Sequence, residues 1–462
     1  MTLPTEAGRI PARPPEGPAV TGELARLAAS LPAMDRDPTL LARRLERLRA
    51  LDGRLRTAAE LPPPPPRPVP LDSTARATRL ADRLGGRVAW DGALGPVVIV
   101  ERSVALPVDL DGLARLPYGI AVDHPLVCLD TETTGLGTGS GTVAFLVGIG
   151  RWDGASFRVR PLLLPDHADE AALLAAIEAE IGADAWLVTY NGRSFDWPLL
   201  EARYRLHRRS PPTLAGHLDL LPIARQLWKH RLPDARLASV EAGVAGVRRH
   251  EDLPGALIPD RFFGWLRSGR PELLADVLEH NREDVVSLAR LLVRMSEDLA
   301  DPRGRRAAHP GDVAALARAF GREGRPDDAL GCYAEALAAW DEGDPAPSRL
   351  DRDAVAADAA RLLSRTGRHA EAAAAWQSLA ERGGAWAVWA WIALAKHHEH
   401  RAHDRDGALV AALRALRIVE RRRAVGVPLW SAERDLGRRL ARLRRRAAAP
   451  PPRVRAARAA KA

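Results

Sequence analysis

Two carboxylates spaced two residues apart on a strand can do chemistry that neither can do alone. Asp130 and Glu132 follow an apolar run, PLVCLD, which reads as a buried strand ending in an acid. Positions i and i+2 of a strand share a face. The two charges therefore repel each other and resist desolvation. A divalent cation relieves both penalties, and oxygen-only ligands suit Mg²⁺ or Mn²⁺. A second candidate acid, Asp196, closes the run Tyr190–Asn191–Gly192–Arg193–Ser194–Phe195–Asp196, where a strand turns into a helix. By itself it is an acid at the positive end of a helix dipole. A third group, His280 and Asp284, lies four residues apart on one helical face. Taken alone it reads as an ordinary exposed pair.

The elements that must position these groups are legible in the same stretch. Apolar strands are predicted at 125–130, 142–152, 156–164 and 185–191. Helices are predicted over 168–182, 196–208 and from Pro271 to about Asp298. Three consecutive strands followed by alternating helix and strand is the order of a ribonuclease-H-like α/β fold. Residues 87–107 read as a short hairpin before it.

In combination the segments LDTETTGLGTGSGTVAFLVGIG (129–150), TYNGRSFDWPLLEARY (189–204) and LEHNREDVVSLARLL (278–292) resemble the YprB-type ribonuclease-H-like domain of the DEDD superfamily of 3′→5′ exonucleases. The resemblance covers about 120–420. It implies Asp130, Glu132, Asp196 and Asp284 as metal-binding acids for two Mg²⁺ or Mn²⁺ ions, and His280 as general base. It also implies a substrate of single-stranded DNA or RNA ends. In that setting Thr133, Thr134, Gly135 and Leu136 contact the terminal nucleotide, with Asn191 and Phe195 nearby. One departure stands out: His280 precedes the last acid by four residues, the spacing that the family's tyrosine subclass uses, whereas its histidine subclass uses five.

Residues 312–418 change character to Ala-rich helix. Ala329, Tyr333 and Ala336 align with Ala372, Trp376 and Leu379, and then with Ala408, Ala412 and Ala415, at intervals of 43 and 36 residues. Small residues at such positions let paired helices pack closely, and the pattern resembles tetratricopeptide repeats, which implies a protein partner. The expected organisation is a Pro/Arg-rich region at 1–75 with short helices in 22–60, a β lead-in at 76–120, the nuclease-like domain at 121–300, repeats at 305–420 and a basic tail at 421–462.

Composition excludes several classes. Two cysteines, Cys128 and Cys332, rule out a disulfide scaffold and fit a reducing cytoplasm. No apolar run reaches the length of a membrane span. The net charge of +9 is misleading, because residues 436–462 hold nine Arg, Lys461 and no acid. Scarce Lys beside abundant Arg and Ala suggests a GC-rich bacterial genome. His397, His398 and His400 read as solvated, and Asp219 and Glu241 as structural hydrogen-bonding groups. A nuclease-like adaptor that binds nucleic acid without cutting it is the competing expectation, and an endonuclease on the same site a third.

Overall fold

A computed structural model describes residues 72–447, apart from 136–140, 250–252 and 344. The chain divides into two units, Met1–Arg67 and Pro68–Ala462. Every described residue belongs to the second. The helices expected in 22–60, the proline-rich runs, Leu136 and the end of the basic tail lie outside the described residues.

The second unit starts with helix α1 (Ser73–Leu84), capped by the Asp72 side chain, which accepts from the Ala75 N–H at 2.7 Å. Strands β1 (Arg87–Asp91) and β2 (Gly95–Ile99) form the expected hairpin. Rather than standing apart as a lead-in, they extend the main sheet: β2 pairs with β6 (Ser156–Leu163), and so does the short β3 (Arg102–Ala105). Helix α2 (Leu110–Arg115) leads to β4 (Leu126–Thr133) and β5 (Ala144–Asp153). Next come α3 (Glu170–Ile181), β7 (Ala185–Thr189), α4 (Asp196–Leu206), β8 (Leu214–Asp219), α5 (Leu220–Leu227), the single turn α6 (Leu237–Val240) and a π-helical turn, Glu241–Ala245. Helix α7 (Ile258–Ser268) precedes the long α8 (Ala275–Leu299).

The sheet order is β1-β2-β6-β5-β4-β7-β8. β4 runs antiparallel to β5 and parallel to β7, and β7 is parallel to β8. Both faces of the central strands are covered, which is why they read as unbroken apolar runs. Val127 and Leu129 face a core containing Ile177, Leu200 and Phe262; Leu126 and Cys128 face the other, with Val285, Leu288 and Leu292 of α8. Two glycines let α8 approach the sheet. A Cβ at Gly148 would sit 2.2 Å from Asn281 Oδ1 and 2.7 Å from Val285 Cγ2, and one at Gly150 would sit 2.6 Å from Val285 Cγ1.

After α9 (Pro302–Ala307) come three antiparallel helix pairs: α10 (Pro310–Arg322) with α11 (Pro326–Glu342), α12 (Arg352–Arg365) with α13 (His369–Arg382), and α14 (Ala387–His400) with α15 (Arg405–Ala424). All nine members of the aligned triplets are buried, on α11, α13 and α15. The first pairs share one apolar cluster with the α8 face of the sheet. Helix α16 (Trp430–Ala447) lies in the stretch expected as a basic tail, yet it buries Leu436, Leu440 and Leu443. Leucines at helical spacing among the arginines account for the difference. Among the described residues no helix is long and apolar enough to cross a membrane.

Candidate active site

Strand β4 delivers Asp130 and Glu132 to the face that α8 crosses. Burial first, then the charges of Asp284, Glu132 and Asp196, hold the Asp130 carboxyl well above the ordinary carboxylate range. The amide of Asn281 pulls the other way, donating to Asp130 Oδ2 at 2.8 Å and reaching its carbonyl at 3.3 Å. Asn281 is fully buried, and Gly148, which pairs with Asp130 across β5, supplies the space it fills. The sequence reading passed over Asn281, although it sits between His280 and Arg282 in the motif that was singled out.

Asp196 arrives by a different route. The turn ahead of α4 is held by Asp219, whose carboxylate accepts from the backbone N–H of Asn191 at 2.8 Å, of Leu221 at 3.0 Å and of Arg193 at 3.3 Å. Asn191 has φ +67°, a left-handed conformation that asparagine tolerates. Gly192 passes so close to Thr189 that a Cβ would lie 2.5 Å from its side chain. The Thr131 hydroxyl donates to Asp196, which ties the helix start to β4. Burial pushes the Asp196 carboxyl up, while the bond from Thr131 and backbone N–H groups draw it down.

From α8, His280 and Asp284 reach the same place. His280 Nε2 lies 3.9 Å from Glu132 Oε1 and 3.7 Å from Asp284 Oδ2. One ligand atom from each of Glu132, His280 and Asp284 falls within 4.8 Å of the others. The structure thus gathers Asp130, Glu132, Asp196, His280 and Asp284 from three elements into one cluster.

Arg249 also belongs to this cluster, and nothing in its sequence context signals it. Its buried guanidinium pairs with Asp284 Oδ1 at 2.5 Å and with Glu241 Oε2 at 2.9 Å, and lies 3.6 Å from Glu283. Glu241 accepts in addition from the Ser287 hydroxyl. Glu241 therefore acts through Arg249, holding a cation against the acids.

The candidate nucleotide contacts are split. The Thr133 hydroxyl donates to the Gly135 carbonyl at 2.7 Å, and the Thr134 hydroxyl oxygen accepts from the Val143 N–H at 3.0 Å, so both shape the hairpin after β4. The Thr134 proton has no acceptor among the described residues. Phe195 is 46% exposed beside Asp196. Asn191 offers its side chain while its backbone is spent on Asp219.

A second group of metal-ligand type, His230, His309 and Asp312, has another explanation. Asp312 accepts from His230 Nε2 and from the Arg231 fork, both at 2.8 Å. His309 Nδ1 accepts from the Gly311 N–H at 3.0 Å, and its Nε2 donates to the Ala346 carbonyl at 2.9 Å. Every donor atom is already used, and Arg231 supplies the counter-charge. This is a clamp between the end of α5 and the start of α10.

A mixed α/β sheet with acids gathered at the end of its central strand defines a ribonuclease-H-like domain, and residues 127–296 match the model of the RNase_H superfamily. The chain is also 35% identical over 294 residues to the uncharacterized protein YprB of Bacillus subtilis strain 168, spanning 63% of this chain and 69% of that protein. The chain belongs to the family of that protein, and its residues 127–296 form an RNase_H superfamily domain.

Proposed function

We propose that this protein is a metal-dependent 3′→5′ exonuclease of the DEDD type, acting on single-stranded nucleic-acid ends. The observation that carries the reading is the convergence of Asp130, Glu132, Asp196 and Asp284 from β4, α4 and α8, where burial and then the other three charges hold the Asp130 carboxyl up. Carboxylate oxygens in a strained, partly desolvated group fit hard divalent cations, and these four residues would hold two of them. Bound there, Mg²⁺ or Mn²⁺ would lower the pKa of an attacking water and neutralise charge on the phosphodiester in flight. His280, within 3.9 Å of Glu132 and 3.7 Å of Asp284, would take the water's proton as general base. Asn281 fixes the orientation of Asp130, Thr131 that of Asp196, and Asp219 the turn that brings Asp196 in. Phe195 offers a face on which a terminal base can stack, and Thr134 and Asn191 offer polar contacts to its sugar and phosphate. The helix pairs behind the domain are read as tetratricopeptide-like.

The test is digestion of end-labelled DNA and RNA oligonucleotides with Mn²⁺ or Mg²⁺. Stepwise release of mononucleotides from the 3′ end, lost in Asp196→Asn, is the expected result. Internal fragments as first products would replace exonuclease with endonuclease. A nuclease-like adaptor is the second reading, favoured by the Arg249–Asp284 pair, which places a resident cation where an ion would bind. Tight oligonucleotide binding without turnover under every metal tried would select it.

A further inference from the structure

The first helices of the three pairs, with Tyr333 of α11 and Trp376 of α13, line a cavity of about 980 Å³ that carries six Arg or Lys side chains on an otherwise largely apolar wall. Arg322, Arg365 and Arg401 recur at the intervals of 43 and 36 residues that separate the buried triplets, so each repeat contributes one arginine to the same groove. All three are exposed, and none has an ion-pair partner among the described residues. Lys396 adds a fourth cation without an ion-pair partner among the described residues. A second row, Arg318 and Arg361, is held by Asp358, which is the groove's single acid.

A second, separate cavity shares one lining residue with this groove. Arg322 also lines a cavity of about 460 Å³ between α10 and the sheet, whose wall includes Arg193 and Ser194 of the turn that delivers Asp196; of its two acids, Asp219 is taken up by backbone N–H groups and Glu323 lies beside Arg322 in sequence. Its lining residues Tyr118, Trp186 and Gln226 each carry a buried polar atom without a hydrogen-bond partner among the described residues. Tyrosine hydroxyl, indole N–H and amide N–H can all donate, and a ligand rich in acceptor oxygens satisfies them. Burial pushes the Tyr118 hydroxyl up, so it keeps its proton.

We propose that the arginine row and the cavity joined to it at Arg322 form one track for the phosphate backbone of single-stranded nucleic acid, leading to the turn that carries Asp196. A flexible polyanion fits unpaired cations repeated along a groove. The cavity's reach to the turn ahead of Asp196 favours a nucleic-acid strand over an acidic peptide, which gains nothing from that turn. The inference rests on the nuclease-type reading for the direction of the track, though not for the binding itself.

The test uses the full chain in EDTA, so that no turnover intervenes, with fluorescent oligothymidylates of about 5 and about 20 nucleotides. Arg365→Glu with Arg401→Glu is expected to raise Kd for the longer strand at least tenfold and for the shorter one much less. The slope of log affinity against log salt should fall by roughly 0.7 per lost contact. Arg365→Gln with Arg401→Gln, which adds no repulsion, should give an intermediate loss; circular dichroism and melting identify any variant that is misfolded. Equal affinity of wild type and both folded variants for the longer strand overturns the track. So does a polyglutamate competitor that displaces the strand at matched charge, because the groove then prefers an acidic peptide. Groove dependence without metal-stimulated digestion would leave the track standing and sink the exonuclease; digestion with groove-independent binding would do the reverse.

Discussion

The sheet region and the helical region place charge in opposite ways. In the sheet region, Asp130, Glu132, Asp196 and Asp284 are drawn from segments some 150 residues apart and crowded into one partly buried cluster, where burial and then the charges of the other three hold the Asp130 carboxyl up. In the helical region, Arg322, Arg365 and Arg401 recur in register and stay exposed, one per repeat. The first arrangement stores an electrostatic penalty that a bound cation can release. The second spreads attraction along a surface and costs the fold little. Chemistry needs the concentrated kind, whereas holding a chain in place needs only the distributed kind.

The largest expected effect breaks the concentrated cluster. Asp196→Asn should cut metal-dependent oligonucleotide digestion by roughly 10²–10³-fold or more, as loss of a preorganised charge does, while thermal stability holds or rises. Digestion at the wild-type rate would mean that the cluster is not the reactive centre. Next in size is a packing change beside it. Gly148→Val forces a side chain into the space of Asn281 Oδ1 and should cost about 3 kcal/mol in denaturant unfolding. No loss of stability would show that α8 has room to back away from the sheet.

The helical region predicts a smaller effect. Glu399 on α14 is buried and held down to about 2, first by the bond from Arg442, with Arg439 contributing as well. Its folded value lies below the unfolded one, so the stability it adds is present above the ordinary carboxyl range and fades as pH falls towards about 2. Glu399→Gln should destabilise by about 1–2 kcal/mol, read as faster amide exchange in α16 relative to α8. Uniform exchange in both would refute a local role.

The smallest effect has the opposite sign. Asp130 is raised in the folded protein, so the native state gains protons more readily than the unfolded chain. Its contribution to stability therefore falls as pH climbs from the ordinary carboxyl value through the raised one. Asp130→Asn keeps an acceptor for Asn281 and should raise the metal-free melting temperature at neutral pH by a few degrees, about 1 kcal/mol. It should also flatten the dependence of stability on pH. A lower melting temperature would mean that Asn281 needs the charge.

Much of the fold was legible because its signals are local. The buried strands announce themselves as apolar runs, and α8 by its leucines and the proline ahead of it. The first helix, α1, was missed because its few apolar residues lie between polar ones and its stability comes from covering β2. Likewise α16 was taken for tail, since arginines outnumber the leucines that dock it. Within the cluster the acids and His280 are suggested by three motifs taken together and the family they resemble, whereas the residues that orient them carry no such signal. Asn281 is informative only beside Gly148, Thr131 only beside Asp196, and Arg249 only where its loop meets α8.

The sequence by itself determined the order of elements, the residue types available for chemistry, and the repeat interval that sets both the buried triplets and the arginine row. Periodicity and composition act over a few residues, so they can be read without coordinates. Which acids meet, that Arg249 joins them, and that Arg322 lines both the helical groove and the cavity beside the Asp196 turn were decided by tertiary structure alone. Those facts depend on close packing between segments far apart in the chain, made possible by the missing side chains of Gly148, Gly150 and Gly192.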